Sequence, residues 1–247
     1  IKKMNNQIKK INLNHSLIFF LFCNIFSLVT FVINDFGISP LICLLLILSI
    51  GISHGSLDNI KGKKLFQIFG INNLSIFYLL YILTSITIII LWIIAPMFSL
   101  LIFLFIASYH FGKEDTQFLI IKKSFFTQLL YFIKGTLIIL APMYFHFDET
   151  VSIFKLLLVD NESFYKFLNF IETNRILSFG IVLATLSNIF LFTKNFEFKK
   201  FTIFLDYFSI LIINYIFSPL IAFTLYFCFL HSIRHSISLM LELNETD

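Results

Sequence analysis

Long apolar segments dominate this chain and constrain its fold more than any other feature. A helix needs roughly 20 mostly apolar residues to cross the hydrocarbon core of a bilayer. A soluble domain could not bury this much apolar surface, because 58% of the 247 residues are hydrophobic and only 13% are charged. We therefore predict an all-α integral membrane helix bundle of about eight spans, at residues 16–33, 40–57, 74–94, 97–111, 125–145, 176–193, 201–217 and 220–241.

Two of these spans are short, and one loop is long. The spans at 97–111 and 201–217 are expected to tilt or to pair with a neighbour through tight turns at Pro96 and Pro219. The acidic segment 146–174 is expected to be an outer loop, and residues 151–170 within it are apolar enough for an interfacial helix.

Lysine placement predicts the orientation of the bundle. Lysines precede the first predicted span and follow the second, fourth and sixth, so the positive-inside rule places both termini and these loops in the cytoplasm. Residues 1–15 form a short basic N-terminus without a small-residue cleavage site behind it, so the first apolar segment is expected to be a span rather than a signal peptide. The net charge of +4 thus reflects topology and indicates no nucleic-acid partner. We predict one transmembrane domain over residues 1–247, in a multi-pass protein of the cell membrane.

The three cysteines lie in apolar segments at unrelated spacings. Cys23, Cys43 and Cys228 are expected to be small buried side chains, and neither a disulfide framework nor a thiolate metal site is indicated.

Histidines occur in three local motifs at or near the ends of predicted helices. GISHGSLD (residues 51–58) ends the second span, SYHFGKED (108–115) ends the fourth, and HSIRH (231–235) lies in the last. Residues four apart share one face of a helix, so the two histidines of the last motif can offer two imidazoles to one ion. Gly55 and Gly112 either allow close helix approach around that ion or mark helix ends.

Depth in the membrane separates the six histidines into two groups. In the predicted topology His146 lies at the outer end of its helix, and His15 lies only at the membrane edge. The other four share the cytoplasmic half of the membrane at comparable depth: His54, His110, His231 and His235. Imidazole binds iron, zinc, copper and nickel. The pattern therefore predicts a metal or haem site, against the alternative that each histidine only hydrogen-bonds between helices.

Charged residues near these histidines need partners inside the membrane. Asp58 and Asp115 follow their histidines closely and are positioned either to accept the second imidazole N–H or to act as interfacial acids. Arg234 is expected to pair with one of them, because an unpaired guanidinium at that depth is costly. Lys134 and Asp206 also need partners that the sequence does not identify.

The motifs GISHGSLD, SYHFGKED and HSIRH, in this order, resemble the Brp/Blh family of bacterial and archaeal β-carotene 15,15′-dioxygenases. The segment from Lys134 to His146 also resembles the part of the family that follows the second motif. Lys134 stands where arginine is expected, a departure that weakens any bidentate contact. The resemblance covers roughly residues 50–240.

This resemblance implies a specific reaction. Members of the family use non-haem Fe(2+) and O₂ to cleave the central double bond of β-carotene, giving two molecules of all-trans retinal. The implied metal ligands are His54, His110, His231 and His235, with the substrate taken from membrane lipid and a functional link to a retinal-binding opsin. A polyene tunnel past the iron is expected. Six aromatic residues lie at that level, and ordinary bundle packing is favoured over a tunnel role for each of them, because Phe is so frequent in this chain: Tyr109, Phe111, Tyr207, Phe208, Tyr226 and Phe227.

Other functions remain open from the sequence. A membrane redox protein could hold haem between histidines on facing helices, and a transporter could use them to relay protons. An intramembrane zinc protease lacks the expected His-Glu-x-x-His pattern, and a di-iron desaturase would need about twice as many histidines.

Overall fold

The chain forms helices and loops. The computed structural model describes residues 2–33, 37–54, 58–70, 73–120 and 124–244, but not the side chains at 2–5, 52–54, 58–61, 64, 74 and 239–244. Within these ranges there is no strand, which confirms the all-α prediction. The α-helices are α1 (Lys2–Val32), α2 (Pro40–His54), α3 (Asp58–Ile68), α4 (Leu74–Ile94), α5 (Pro96–Glu114), α6 (Phe125–Phe145), α7 (Phe147–Leu156), α8 (Glu162–Thr173), α9 (Ile176–Thr193), α10 (Phe201–Ile216), α11 (Pro219–Leu225) and α12 (Ser232–Asn244).

Six helical segments in the described ranges are long and apolar enough to cross a membrane. They match the first, third, fourth, fifth, sixth and eighth predicted spans, whereas α2 and α10, with 15 and 16 residues, are shorter. The fourth span is longer than predicted, because its helical segment continues to Leu119. The six segments are Asn6–Val32, Ser75–Ile94, Pro96–Leu119, Phe125–Phe145, Ile176–Thr193 and Pro219–Ser238.

The surface of α4 is apolar and exposed. Its most apolar window contains no buried residue, and Leu79, Ile89 and Ile93 are 57%, 59% and 68% exposed. A continuous apolar surface of this kind is expected to contact lipid rather than water. The apolar helices are therefore compatible with a multi-pass membrane protein.

The first helix starts earlier than predicted. α1 begins at Lys2 instead of near Ser16, so most of the basic N-terminal segment continues the first span. The Lys9 Nζ atom lies 2.9 Å from Glu197 Oε2, and this hydrogen bond lowers the pKa of the Glu197 carboxyl. Asn12 is fully buried one turn further along the helix. These contacts attach the start of α1 to the loop before α10.

The acidic segment contains two short helices rather than one interfacial helix over residues 151–170. α7 follows α6 directly, and the chain reverses at Leu158, whose φ of 65° lies in the left-handed region. Asn161 then caps α8 by accepting a hydrogen bond from the Phe164 N–H at 2.8 Å. Trp92 Nε1 donates to the Leu157 carbonyl at 2.9 Å, which joins the end of α7 to α4.

Two glycines bring α5 and α6 into backbone contact. A Cβ atom at Gly112 would overlap the carbonyl oxygen of Tyr131, and one at Gly135 would overlap that of Ser108. Of the two interpretations of Gly112, close helix approach is therefore the observed one, while Gly55 lies outside the described residues. This crossing fixes the end of α5 that carries the second histidine motif.

The last span contains a π-helical turn. Residues Tyr226–His231 form a π-helix between α11 and α12, and the Ser232 N–H bonds to the Phe227 carbonyl. His15 Nε2 donates to the Phe229 carbonyl of this turn at 2.8 Å, so His15 stabilises the irregular segment. π-Turns interrupt the normal helical register and often occur at functional sites.

The packed centre of the bundle lies between α1, α5, α6, α9, α10 and α11. Its most buried side chains include Leu137, Ala141, Ala184, Ile213 and Leu230. All three cysteines are buried and free, as predicted.

Candidate metal centre

Two imidazoles meet at the junction of α5 and the π-turn. His110 Nε2 lies 3.3 Å from His231 Nε2, with the rings 5.1 Å apart and inclined by 71°. Two imidazole nitrogens that bind one ion at about 2.0–2.1 Å are separated by about 3.0–3.4 Å, depending on the coordination angle. The observed separation therefore fits two ligands of one metal ion, and it also fits an N–H···N hydrogen bond.

Asp115 holds the other nitrogen of His231. His231 Nδ1 donates to Asp115 Oδ1 at 3.2 Å, and the Tyr226 hydroxyl donates to Asp115 Oδ2 at 2.6 Å. With its proton on Nδ1, neutral His231 presents a lone pair from Nε2 toward His110. Two facing lone pairs repel each other unless a proton or a cation lies between them. The carboxylate thus favours the tautomer in which His231 Nε2 can accept a hydrogen bond from His110 or bind a cation.

A third imidazole completes the group. The His235 ring lies 6.3 Å from that of His110 and 6.5 Å from that of His231. Its Nδ1 is 3.3 Å from Glu114 Oε2, so a second carboxylate stands behind a second imidazole. The sequence interpretation missed Glu114, although its position four residues after His110 places both on one helix face.

The described side chains do not form a complete metal site. Among them, no group of three or more His, Cys, Asp or Glu side chains is arranged to hold a metal ion. Two predicted site residues, His54 at the end of α2 and Asp58 at the start of α3, have side chains outside the described set. The structure therefore brings together His110, His231 and His235, and the role of His54 stays a prediction.

Arg234 is fully buried and binds an acid that the sequence left without a partner. Its Nη1 and Nη2 atoms donate to the two carboxylate oxygens of Asp206 at 2.7 and 3.1 Å. Ser16 Oγ accepts from Nη2 at 2.7 Å and donates to Asp206 Oδ1 at 2.7 Å. Arg234 Nη1 also lies 3.6 Å from Asp115 Oδ1. The partner predicted from the sequence was Asp58 or Asp115, whereas the main partner is Asp206 and Asp115 is secondary.

Lys134 adds a second buried cation beside this network. It lines a cavity of about 10 Å³ together with Asp115, Asn188 and Tyr207, and its side chain is buried. That volume suits a single water molecule, and the buried Asn188 Oδ1 atom lacks a hydrogen-bond partner. The formal positive charges of Lys134 and Arg234 balance the formal negative charges of Asp115 and Asp206. Such a balance is expected because an unpaired buried charge is costly.

Aromatic rings pack against the His231 imidazole. Phe111, Tyr226 and Phe227 lie 4.8, 5.9 and 6.2 Å from the His231 ring. The other aromatic residues expected at this level are engaged elsewhere. Tyr109 bonds to Gln128 at 2.6 Å, Tyr207 to Thr185 at 2.7 Å, and Phe208 packs on Phe204 at 4.5 Å.

The two histidines outside the predicted ligand set lie apart from this group. His15 bonds to the π-turn, and His146 caps the far end of α6, where its Nδ1 is 3.8 Å from Glu149 Oε1.

Comparison with known proteins gives one match. Residues 45–247 match the family model for beta-carotene 15,15'-dioxygenase, a range that includes all three histidine motifs and confirms the resemblance drawn from them. The chain matches no curated protein and no solved structure.

Proposed function

This chain belongs to the beta-carotene 15,15'-dioxygenase family, and we propose that it cleaves the central double bond of β-carotene with O₂ to give two molecules of all-trans retinal. The observation that carries this proposal is the His110–His231 nitrogen pair backed by Asp115. Membership of the family supports the substrate class, and the pair supports a metal-dependent reaction.

The proposed ligands of Fe(2+) are His54, His110, His231 and His235. When bound, the iron supplies the reaction of O₂ with an alkene, which protein side chains alone do not provide. The 3.3 Å separation of the two Nε2 atoms fits this role, and so do the carboxylates behind His231 and His235.

The surrounding side chains position the ligands and exclude water. Asp115 keeps the His231 proton on Nδ1, and this leaves Nε2 as a donor toward the metal. Glu114 does the same for His235. Phe111 and Tyr226 shield the imidazoles from bulk solvent and present a hydrocarbon surface to an apolar substrate.

The membrane setting suits the substrate. β-Carotene is wholly apolar and dissolves in the bilayer, so a site within the bundle receives it without transfer through water. We propose eight crossings in a single domain, with α2 and α10 as short spans, both termini in the cytoplasm and the protein in the cell membrane. The product suggests a functional link to a retinal-binding opsin.

Expression in cells that accumulate β-carotene tests the proposal. Wild-type protein should bleach the cells and yield retinal, and His231→Ala should abolish both and lower the iron content of the purified protein. His146→Ala is the matched control, because His146 lies at the far end of α6, and it should retain iron and activity. Cells that stay coloured while containing folded, iron-loaded wild-type protein would contradict the assignment. A Soret band would indicate a haem protein instead.

A further inference from the structure

A second cavity lies between α5, α6, α7, α10 and α11. Its volume is about 240 Å³, and its walls are almost entirely hydrocarbon. Few polar groups line the cavity. The Thr150 hydroxyl and the Asn214 amide donate to the carbonyls of His146 and Ile210, both at 2.8 Å, and the Tyr226 hydroxyl donates to Asp115. A cavity with so few polar groups favours an apolar occupant over water.

Two aromatic side chains lie between this cavity and the imidazole group. Phe111 and Tyr226 line the cavity and pack edge to face at 5.4 Å. Their ring centroids lie 4.8 and 5.9 Å from that of His231. Ile153, Phe154 and Leu157, at the end of α7, also line the cavity, which therefore lies between α7 and the two rings beside His231.

We propose that this cavity holds one half of the carotenoid, with the terminal ring under α7 and the middle of the polyene at the imidazoles. This inference rests on the proposed function. A symmetric substrate cut at its centre must extend equally on both sides of the reacting atoms, so one side of the site needs to enclose only one half. The distance from the α7 wall to His231 then determines which double bond is presented for cleavage.

Phe154 is the residue expected to set that distance. It is 7% exposed and lines the end of the cavity under α7. Phe154→Ala should deepen the cavity, so that the bound half slides further in and a bond beside the centre reaches the site. Each cleavage still breaks one C=C bond and adds one oxygen atom of O₂ to each fragment. The carbon on the far side of that bond carries a methyl group, so the products should include an aldehyde longer than retinal and a methyl ketone shorter than retinal.

Phe164 provides a matched control. It is also 7% exposed and belongs to the same apolar cluster as Phe154, but it does not line the cavity. Phe164→Ala should lose similar packing and still give only retinal. Product analysis by chromatography and mass spectrometry separates the two outcomes.

Ligand binding gives a readout independent of turnover. The single tryptophan of the chain, Trp92, bonds to the carbonyl of Leu157, a cavity residue. Retinal added to the purified protein in lipid nanodiscs should therefore quench tryptophan fluorescence. Ala107→Leu narrows the cavity from the α5 wall and should weaken retinal binding by about tenfold or more, with the iron content unchanged.

The outcomes distinguish failure of this inference from failure of the proposed function. An iron-loaded wild-type protein that produces no retinal contradicts the function itself. Central cleavage retained in Phe154→Ala, as in Phe164→Ala, would overturn the cavity assignment even though the enzyme is active. If Phe154→Ala does not fold, unchanged retinal affinity in Ala107→Leu overturns it in the same way.

Discussion

At the scale of single residues, the candidate site depends on how buried charges are paired. Asp115 is almost completely buried and receives hydrogen bonds from His231 and Tyr226, with Arg234 nearby. Each of these donors lies far from Asp115 in the chain. Sequence spacing could therefore suggest that Asp115 orients an imidazole, but it could not identify which one.

Asp115→Asn tests whether this carboxylate supports the metal. The amide keeps the shape of the side chain but removes the negative charge that makes His231 a better ligand, so iron affinity should fall by about 10- to 100-fold. Metal titration of the purified protein measures the change. Asp148→Asn, on the exposed first turn of α7, is the control and should bind iron like the wild type. Equal affinity in both variants would contradict the role assigned to Asp115.

Arg234→Met tests the buried charge network. Its removal leaves Asp206 and Asp115 without their guanidinium partner, so the free energy of unfolding should fall by about 3–5 kcal/mol. Adding Asp206→Asn in the same chain should recover part of this loss, because one unpaired charge is then neutralised. Denaturation in detergent micelles measures both. A loss that is the same with and without Asp206→Asn would show that the pair is not coupled.

At the scale of helices, two irregular features place the imidazoles. The Gly112–Gly135 contact sets the approach of α5 to α6, and the π-turn at Tyr226–His231 sets the direction of His231. The sequence indicated the first feature through Gly112. It gave no signal for the π-turn, because helical periodicity alone does not distinguish a widened turn from a regular one.

Gly112→Ala should separate α5 from α6. Its methyl group would overlap the Tyr131 carbonyl, which is backbone and cannot rotate away, so about 1–3 kcal/mol of stability should be lost. Gly51→Ala is the matched control, because Gly51 is also helical and no atom lies within 4 Å of an added Cβ. That variant should be neutral or more stable by about 0.5–1 kcal/mol. Thermal unfolding of both variants checks the comparison, and an equally stable Gly112→Ala would contradict the close packing.

At the scale of the whole molecule, apolar composition was enough to predict a helical membrane bundle. Each predicted span overlaps helical segments of the described residues, and six of these segments are long and apolar enough to cross a bilayer. The sequence missed the division of the acidic segment into α7 and α8, because the left-handed turn at Leu158 has no glycine to mark it. It also could not pair Arg234 with Asp206, since that contact depends on how α10 packs beside α12.

The site was predictable to the extent that its residues carry local motifs. His110, His231 and His235 were selected by motif and depth, and the structure brings their rings within 6.5 Å of one another. Glu114 and the cavity under α7 became evident only from three-dimensional packing. The partner of Glu114 and the walls of the cavity come from helices that are distant in the sequence.

The most direct test of the central claim is the product yield of the purified wild-type protein. Iron-loaded protein in nanodiscs, incubated with β-carotene and O₂, should convert each β-carotene into two molecules of retinal, with no conversion when O₂ is removed. Folded, iron-loaded protein that leaves β-carotene intact under O₂ would contradict the account.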